Sequence, residues 1–162
     1  MLPTTLSELE ALRLECRTLV RQRAGISAGA AVIPVPGMDM MADVVVFSTL
    51  LETISSRFGL SQAELAKLDH NTRKYILLTA GRAGSELIGK LVTKQLAKLI
   101  LKKAGARLIG KTLLRFVPIA GQAVAAGISY GVVTRLGDAH IEDCYQVVRA
   151  LLEQTKTPEG QP

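Results

Sequence analysis

The chain has 162 residues, suited to one compact domain, and 48% of them are hydrophobic at a mean hydropathy of +0.27. Three Phe, three Tyr and no Trp stand against 14 Gly, so the core is expected to be aliphatic and closely packed. Disorder, collagen-like repeats and a small disulfide-stapled fold are excluded, while 20 basic residues against 14 acidic ones give +6 and suit an anionic partner without naming it.

Taken in order, Thr5 three residues before Glu8 is a capping box. Leu6, Leu9, Leu12 and Leu19 supply the apolar stripe of a first helix to about Arg23. Cys16 and Cys144 lie far apart, and the opening residues lack a charged leader followed by an apolar stretch. Both are therefore expected to be reduced thiols in a cytoplasmic protein. An apolar stretch over 26–35 carries Pro34 and leads through Pro36-Gly37 to 38–57, where Val44, Val45, Val46 and Phe47 alone would suit a buried strand. The uninterrupted length and the Pro-Gly entrance predict a buried helix instead, ending near Gly59. Ser61 and Glu64 form a second capping box and predict a helix to roughly Ala80 with Leu65, Leu68, Tyr75 and Ile76 inward, weakened or ended by Gly81 and Gly84.

Residues 85–104 again read as helix, followed by a shorter segment from Gly105 towards Phe116. Pro118 and Gly121 introduce an apolar helix to about Leu136. Gly137 is expected to separate it from a last amphipathic helix over 138–153. The polar residues 155–162 read as a flexible tail. The predicted fold is all-α: a compact bundle of about six to eight helical segments with apolar central helices, forming one domain over 1–154.

Ile33-Pro34-Val35-Pro36-Gly37 and Val117-Pro118-Ile119-Ala120-Gly121 share a pattern, and each leads an apolar helix. With Met38-Asp39 after the first and Gly137-Asp138-Ala139 after the second, the chain resembles the uncharacterised helical domain that follows the G domain of some bacterial Era-like and immunity-related GTPases. It also resembles the EcsC-type helical proteins. The resemblance covers most of 15–155 and implies an all-α domain often associated with membranes, with no catalytic residues to carry over. No G domain is present in this sequence.

Gly105-Ala106-Arg107-Leu108-Ile109-Gly110-Lys111-Thr112 matches the phosphate-loop spacing G-x-x-x-x-G-K-[ST]. That motif needs a strand before it and a small or polar loop interior. Here a basic amphipathic segment precedes it, Leu108 and Ile109 occupy the interior, and Gly84 to Leu91 nearly repeats the spacing without the hydroxyl. The match is read as a decoy, and no cofactor or metal is implied.

The clearest asymmetry is electrostatic. No Asp or Glu occurs from Leu87 to Gly137. That stretch holds nine basic residues: Lys90, Lys94, Lys98, Lys102, Lys103, Arg107, Lys111, Arg115 and Arg135. The rest of the chain has eleven basic residues against fourteen acidic ones. Lys90, Lys94, Lys98 and Lys102 recur every four residues on one helical face, while Leu87, Leu91, Leu99 and other aliphatics are expected to face the core. Together with Lys103, Arg107, Lys111 and Arg115, this face is expected to meet an anionic membrane surface or an acidic protein. The bland alternative is a solvated face paired with acids of the first helix such as Glu8 and Glu15. No aromatic residues interleave the cations before Phe116 and no helix-turn-helix pattern appears, which argues against nucleic acid.

Residues 116–134 are uncharged and nearly long enough to cross a bilayer, but Pro118, Gln122, Ser129 and Tyr130 dilute them. Gly121, Ala123, Gly127 and Gly131 make a small-residue face suited to close helix packing in a bundle, a homo-oligomer or a membrane. Asp39 and Asp43 are one turn apart and read as helix-start acids. Asp138, His140, Glu142, Asp143 and Cys144 cluster in sequence, and His140 shares a face with Cys144. A helix start rich in acids explains them better than a metal or nucleophile site. His70, between Asp69 and Asn71, is expected to be exposed. The functional expectation is a non-enzymatic module, peripheral to the inner face of the membrane or bound to a protein partner through the basic segment. A structural or oligomerisation protein and an integral membrane protein are the alternatives.

Overall fold

The computed structural model describes residues 2–30, 39–85, 87–90, 92–109 and 120–156, with side-chain surroundings over 2–26, 44–85, 87–90, 92–104 and 130–155. All regular structure among them is helical: α1 Leu6–Ala30, α2 Asp39–Arg57, α3 Gln62–Leu65, α4 His70–Arg82, α5 Lys94–Ile109 and α6 Ala120–Lys156. Because α3 is a single turn, five helices of more than one turn occur among the described residues, fewer than the six to eight segments expected.

The differences have local causes. α1 runs past Arg23 to Ala30, since Gly25 is tolerated inside a helix and no proline intervenes before Pro34. At its start the Glu8 amide donates to Thr5 Oγ1 at 3.2 Å, and the Glu8 carboxylate accepts from the Thr4 amide and hydroxyl, each at 2.9 Å. In α2 the buried residues Val44, Phe47, Leu51 and Ile54, continued by Phe58 just past its end, recur at spacings of three and four, the period of a helix rather than a strand. Past its end, Gly59 takes φ 71 while Leu60 N donates to Ser55 O at 2.7 Å and Gly59 N to Ser56 O at 3.0 Å. This double closure satisfies the last carbonyls and needs a left-handed residue. The helix expected over 61–80 divides in two. Ser61 does cap a turn, accepting from Glu64 N at 3.3 Å, but Asp69 then caps α4 by accepting from Asn71 N and Thr72 N, each at 3.0 Å. Gly137 does not separate two helices: α6 runs through it for 37 residues.

The chain gathers into two compact units, one made of Met1–Arg17, Glu52–Leu91 and Ala139–Pro162, the other of Thr18–Leu51 and Val92–Asp138. In the first, Leu9, Ile54, Phe58, Leu60, Ile76 and Ile141 are fully buried. Arg13 donates to both carboxylate oxygens of Glu142, at 2.8 and 2.7 Å, Arg17 adds a third bond at 2.8 Å, and the Arg13 guanidinium lies 4.5 Å from the centre of the Tyr145 ring. In the second, Val20, Ala24, Phe47, Leu50 and Ala97 are buried, and α1 meets α6 at Gly137. A Cβ added there would lie 2.8 and 2.9 Å from the Val20 methyl carbons. The close-packing glycine is therefore the residue expected to break the helix.

Candidate functional site

The basic segment divides at Gly89, whose φ of 76 ends any helix entering from the preceding residues. Its amide donates to Leu60 O at 3.2 Å, and an added Cβ would meet Leu77 Cδ2 at 2.7 Å. Lys90 lies in the turn that follows and is exposed, outside α5. This corrects the expectation that it begins the four-residue repeat on one helix. α5 is capped by Thr93, whose Oγ1 accepts from Leu96 N at 3.2 Å and whose carbonyl accepts from Ala97 N at 3.0 Å.

Along α5 the exposed positions are Lys94, Gln95, Lys98, Leu99, Lys102 and Lys103, while Ala97 is fully buried and Leu96, Ile100 and Leu101 are half-buried. The four lysines of the helix thus share a half-cylinder with Leu99, which is 62% exposed and not turned to the core as expected, because the fully buried Ala97 sets the inward face. Among the described residues none of Lys90, Lys94, Lys98, Lys102 and Lys103 is ion-paired. The acids named as their alternative partners are engaged elsewhere: Glu8 with Thr4, which holds its carboxyl below the usual range, and Glu15 with Arg57 at 3.7 Å. The side chain of Arg107 and all of Lys111 and Arg115 lie outside the described residues.

The first five residues of the phosphate-loop match, 105–109, are helical, whereas a phosphate loop turns over that stretch so that successive amides converge on the anion. Gly110, Lys111 and Thr112 lie outside the described residues. Of the small-residue set, Gly131 is exposed and an added Cβ there would meet nothing within 4 Å. Gly121, Ala123 and Gly127 fall on α6, but their surroundings lie outside the description, as do those of Asp39 and Asp43. Among the described residues no helix is long and apolar enough to cross a membrane.

His140 and Cys144 do meet, buried in the first unit with Nε2 to Sγ at 3.8 Å, and Ser55 Oγ lies 2.8 Å from the same nitrogen. Ser55 carried no sequence signal, because a serine inside an apolar helix is marked only by the imidazole that folding brings to it. Burial pushes the Cys144 thiol well above its ordinary range and that of Cys16 up to about 11. Both thiols are therefore mainly protonated at neutral pH, the poorly nucleophilic form. Glu142 is held by Arg13 and Arg17, Asp143 is half-buried with its carboxyl raised by burial, and Asp138 belongs to the second unit. No group of three or more His, Cys, Asp or Glu suited to a metal ion occurs among the described residues. His70 is exposed at the start of α4.

No family model matches the chain, and no curated protein or solved structure matches it significantly.

Proposed function

We propose that this chain is a non-enzymatic helical module that associates with an anionic membrane surface, or with an acidic protein partner, through the basic face of α5. The supporting observation is the set Lys94, Lys98, Lys102 and Lys103, all exposed and none ion-paired among the described residues, in a stretch without a single acid from Leu87 to Gly137. Four cations at about 1 kcal/mol each beside an acidic leaflet contribute roughly a thousandfold in partitioning. On the same footing we propose kinship with the helical domains that the Pro-x-x-Gly entrances resemble, and a peripheral position at the cytoplasmic face of a membrane.

Vesicle flotation tests this. The chain is expected to float with vesicles containing phosphatidylserine and not with phosphatidylcholine alone, and K94E/K98E is expected to weaken binding more than tenfold. Equal binding to both lipids, or no loss in the variant, overturns the membrane form. A second reading, self-association along α6, is supported by the open space at Gly131. It predicts a concentration-dependent mass in sedimentation that Gly131→Leu abolishes.

A further inference from the structure

The four-residue helix α3 and then α4 follow α2 in the chain, and α4 carries exposed apolar surface that the sequence pattern did not announce. Ile76 and Ala80 are buried, and the Tyr75 hydroxyl donates to Ala150 O at 3.5 Å. These contacts fix how α4 is rolled about its axis. Leu77 and Leu78 consequently face outward, 40% and 54% exposed. Lys74, Leu77, Leu78 and Gly81 stand at positions i, i+3, i+4 and i+7, one face of the helix. Arg73, Lys74 and Arg82 are exposed around the two leucines, and among the described residues none of the three is ion-paired. From His70 to Ser85 there is no Asp or Glu. An added Cβ at Gly81 would meet nothing within 4 Å, so no neighbouring element covers the strip there. Lys90, exposed and next in chain to the glycine that abuts Leu77, adds a fourth cation on the loop beside this helix.

We propose that this face of α4 docks on an anionic lipid surface, with Leu77 and Leu78 entering the boundary between headgroups and acyl chains while Arg73, Lys74 and Arg82 reach the phosphates. The proposal goes beyond the α5 reading: it concerns another helix, in the other unit. Cations without acids select an anionic occupant, and paired leucines among them select an amphiphilic one. The dimensions favour lipid over a folded protein. A helix of 13 residues offers a face about 20 Å long and about 10 Å wide, roughly a quarter of the ~800 Å² that a stable protein partner covers. A fluid bilayer surface, by contrast, conforms to a single convex ridge. Each cation beside an acidic leaflet strengthens adsorption about fivefold, and each leucine that leaves water adds about tenfold.

The absence of native tryptophan allows a direct test with single reporters in the full chain, L78W on α4 and L99W on α5. With vesicles of phosphatidylcholine and phosphatidylserine, L78W is expected to shift to shorter emission wavelengths and to be quenched by brominated acyl chains, with no change on phosphatidylcholine alone. R73Q/K74Q/R82Q in the L78W background is expected to lower partitioning about a hundredfold, and L78Q, which leaves the core untouched, about tenfold. Absence of flotation on acidic vesicles, or water-exposed L78W emission under conditions in which the chain floats, overturns the proposal. A response of L78W to an acidic amphipathic peptide but not to vesicles also overturns it, in favour of a protein partner. A response at L99W without one at L78W leaves the α5 reading standing and removes this one. A response at L78W that K94E/K98E leaves intact supports this one independently of α5.

Discussion

Two glycines on helices make opposite demands. At Gly137 a Cβ would lie within 2.9 Å of the Val20 methyl carbons, so Gly137→Ala is expected to cost about 1–3 kcal/mol in urea unfolding and to be partly rescued by Val20→Ala. At Gly25 nothing lies within 4 Å, and Gly25→Ala is expected to stabilise by about 0.5–1 kcal/mol, because only backbone entropy is involved. The sequence marks both as helix-weakening residues and cannot separate them, since the deciding atoms belong to a residue far away in the chain. The cysteines were legible as free thiols, but their burial was not. With its folded pKa raised to about 11 from an ordinary 9.0, Cys16 binds its proton more tightly in the folded state. Its contribution to stability is complete below about pH 9 and is lost as the pH rises towards 11. Chemical denaturation between those values is expected to show a decline that Cys16→Ala reduces.

At the scale of the helices, caps are legible in the sequence and helix continuity is not. Thr5, Ser61 and the stop at Gly59 act as their residue types predict, because a cap is a contact among near neighbours in the chain. Asp69 and Thr93 also cap, and each displaces a boundary placed by apolar periodicity alone. The period of three and four along 61–80 is compatible with one helix or two. The carboxylate that accepts from Asn71 N and Thr72 N decides for two. Between α2 and α6 the 2.8 Å hydrogen bond between Ser55 Oγ and His140 Nε2 joins buried groups. Ser55→Ala removes that partner inside the core and is expected to destabilise by about 1–3 kcal/mol in urea unfolding, without altering the vesicle binding ascribed to α4 and α5.

Over the whole molecule, the positive excess is a property of order along the chain. The stretch from Leu87 to Gly137 holds nine cations and no acid, so no pairing between near neighbours in the chain can neutralise it. If adsorption is electrostatic, raising the salt from about 0.05 M to about 0.5 M is expected to release most of the chain from acidic vesicles, as screening shortens to a few ångströms. K94E/K98E should respond much less to the same change, a comparison that flotation at the two salt concentrations makes directly.

Helical class, an aliphatic core, the first and second caps and the location of the charge follow from the sequence by itself. Each depends on residues within about a turn of one another, or on composition. Tertiary structure alone decided that Gly137 lies inside one long helix against Val20, that Lys90 stands outside α5, and that Leu77 and Leu78 face outward while Ile76 faces in. In each case the deciding contact is made by a residue distant in the chain: Val20 for Gly137, Leu60 for the turn at Gly89, and Ala150 for the roll of α4. Local pattern limits what a segment can form, and packing against remote partners selects the face it shows.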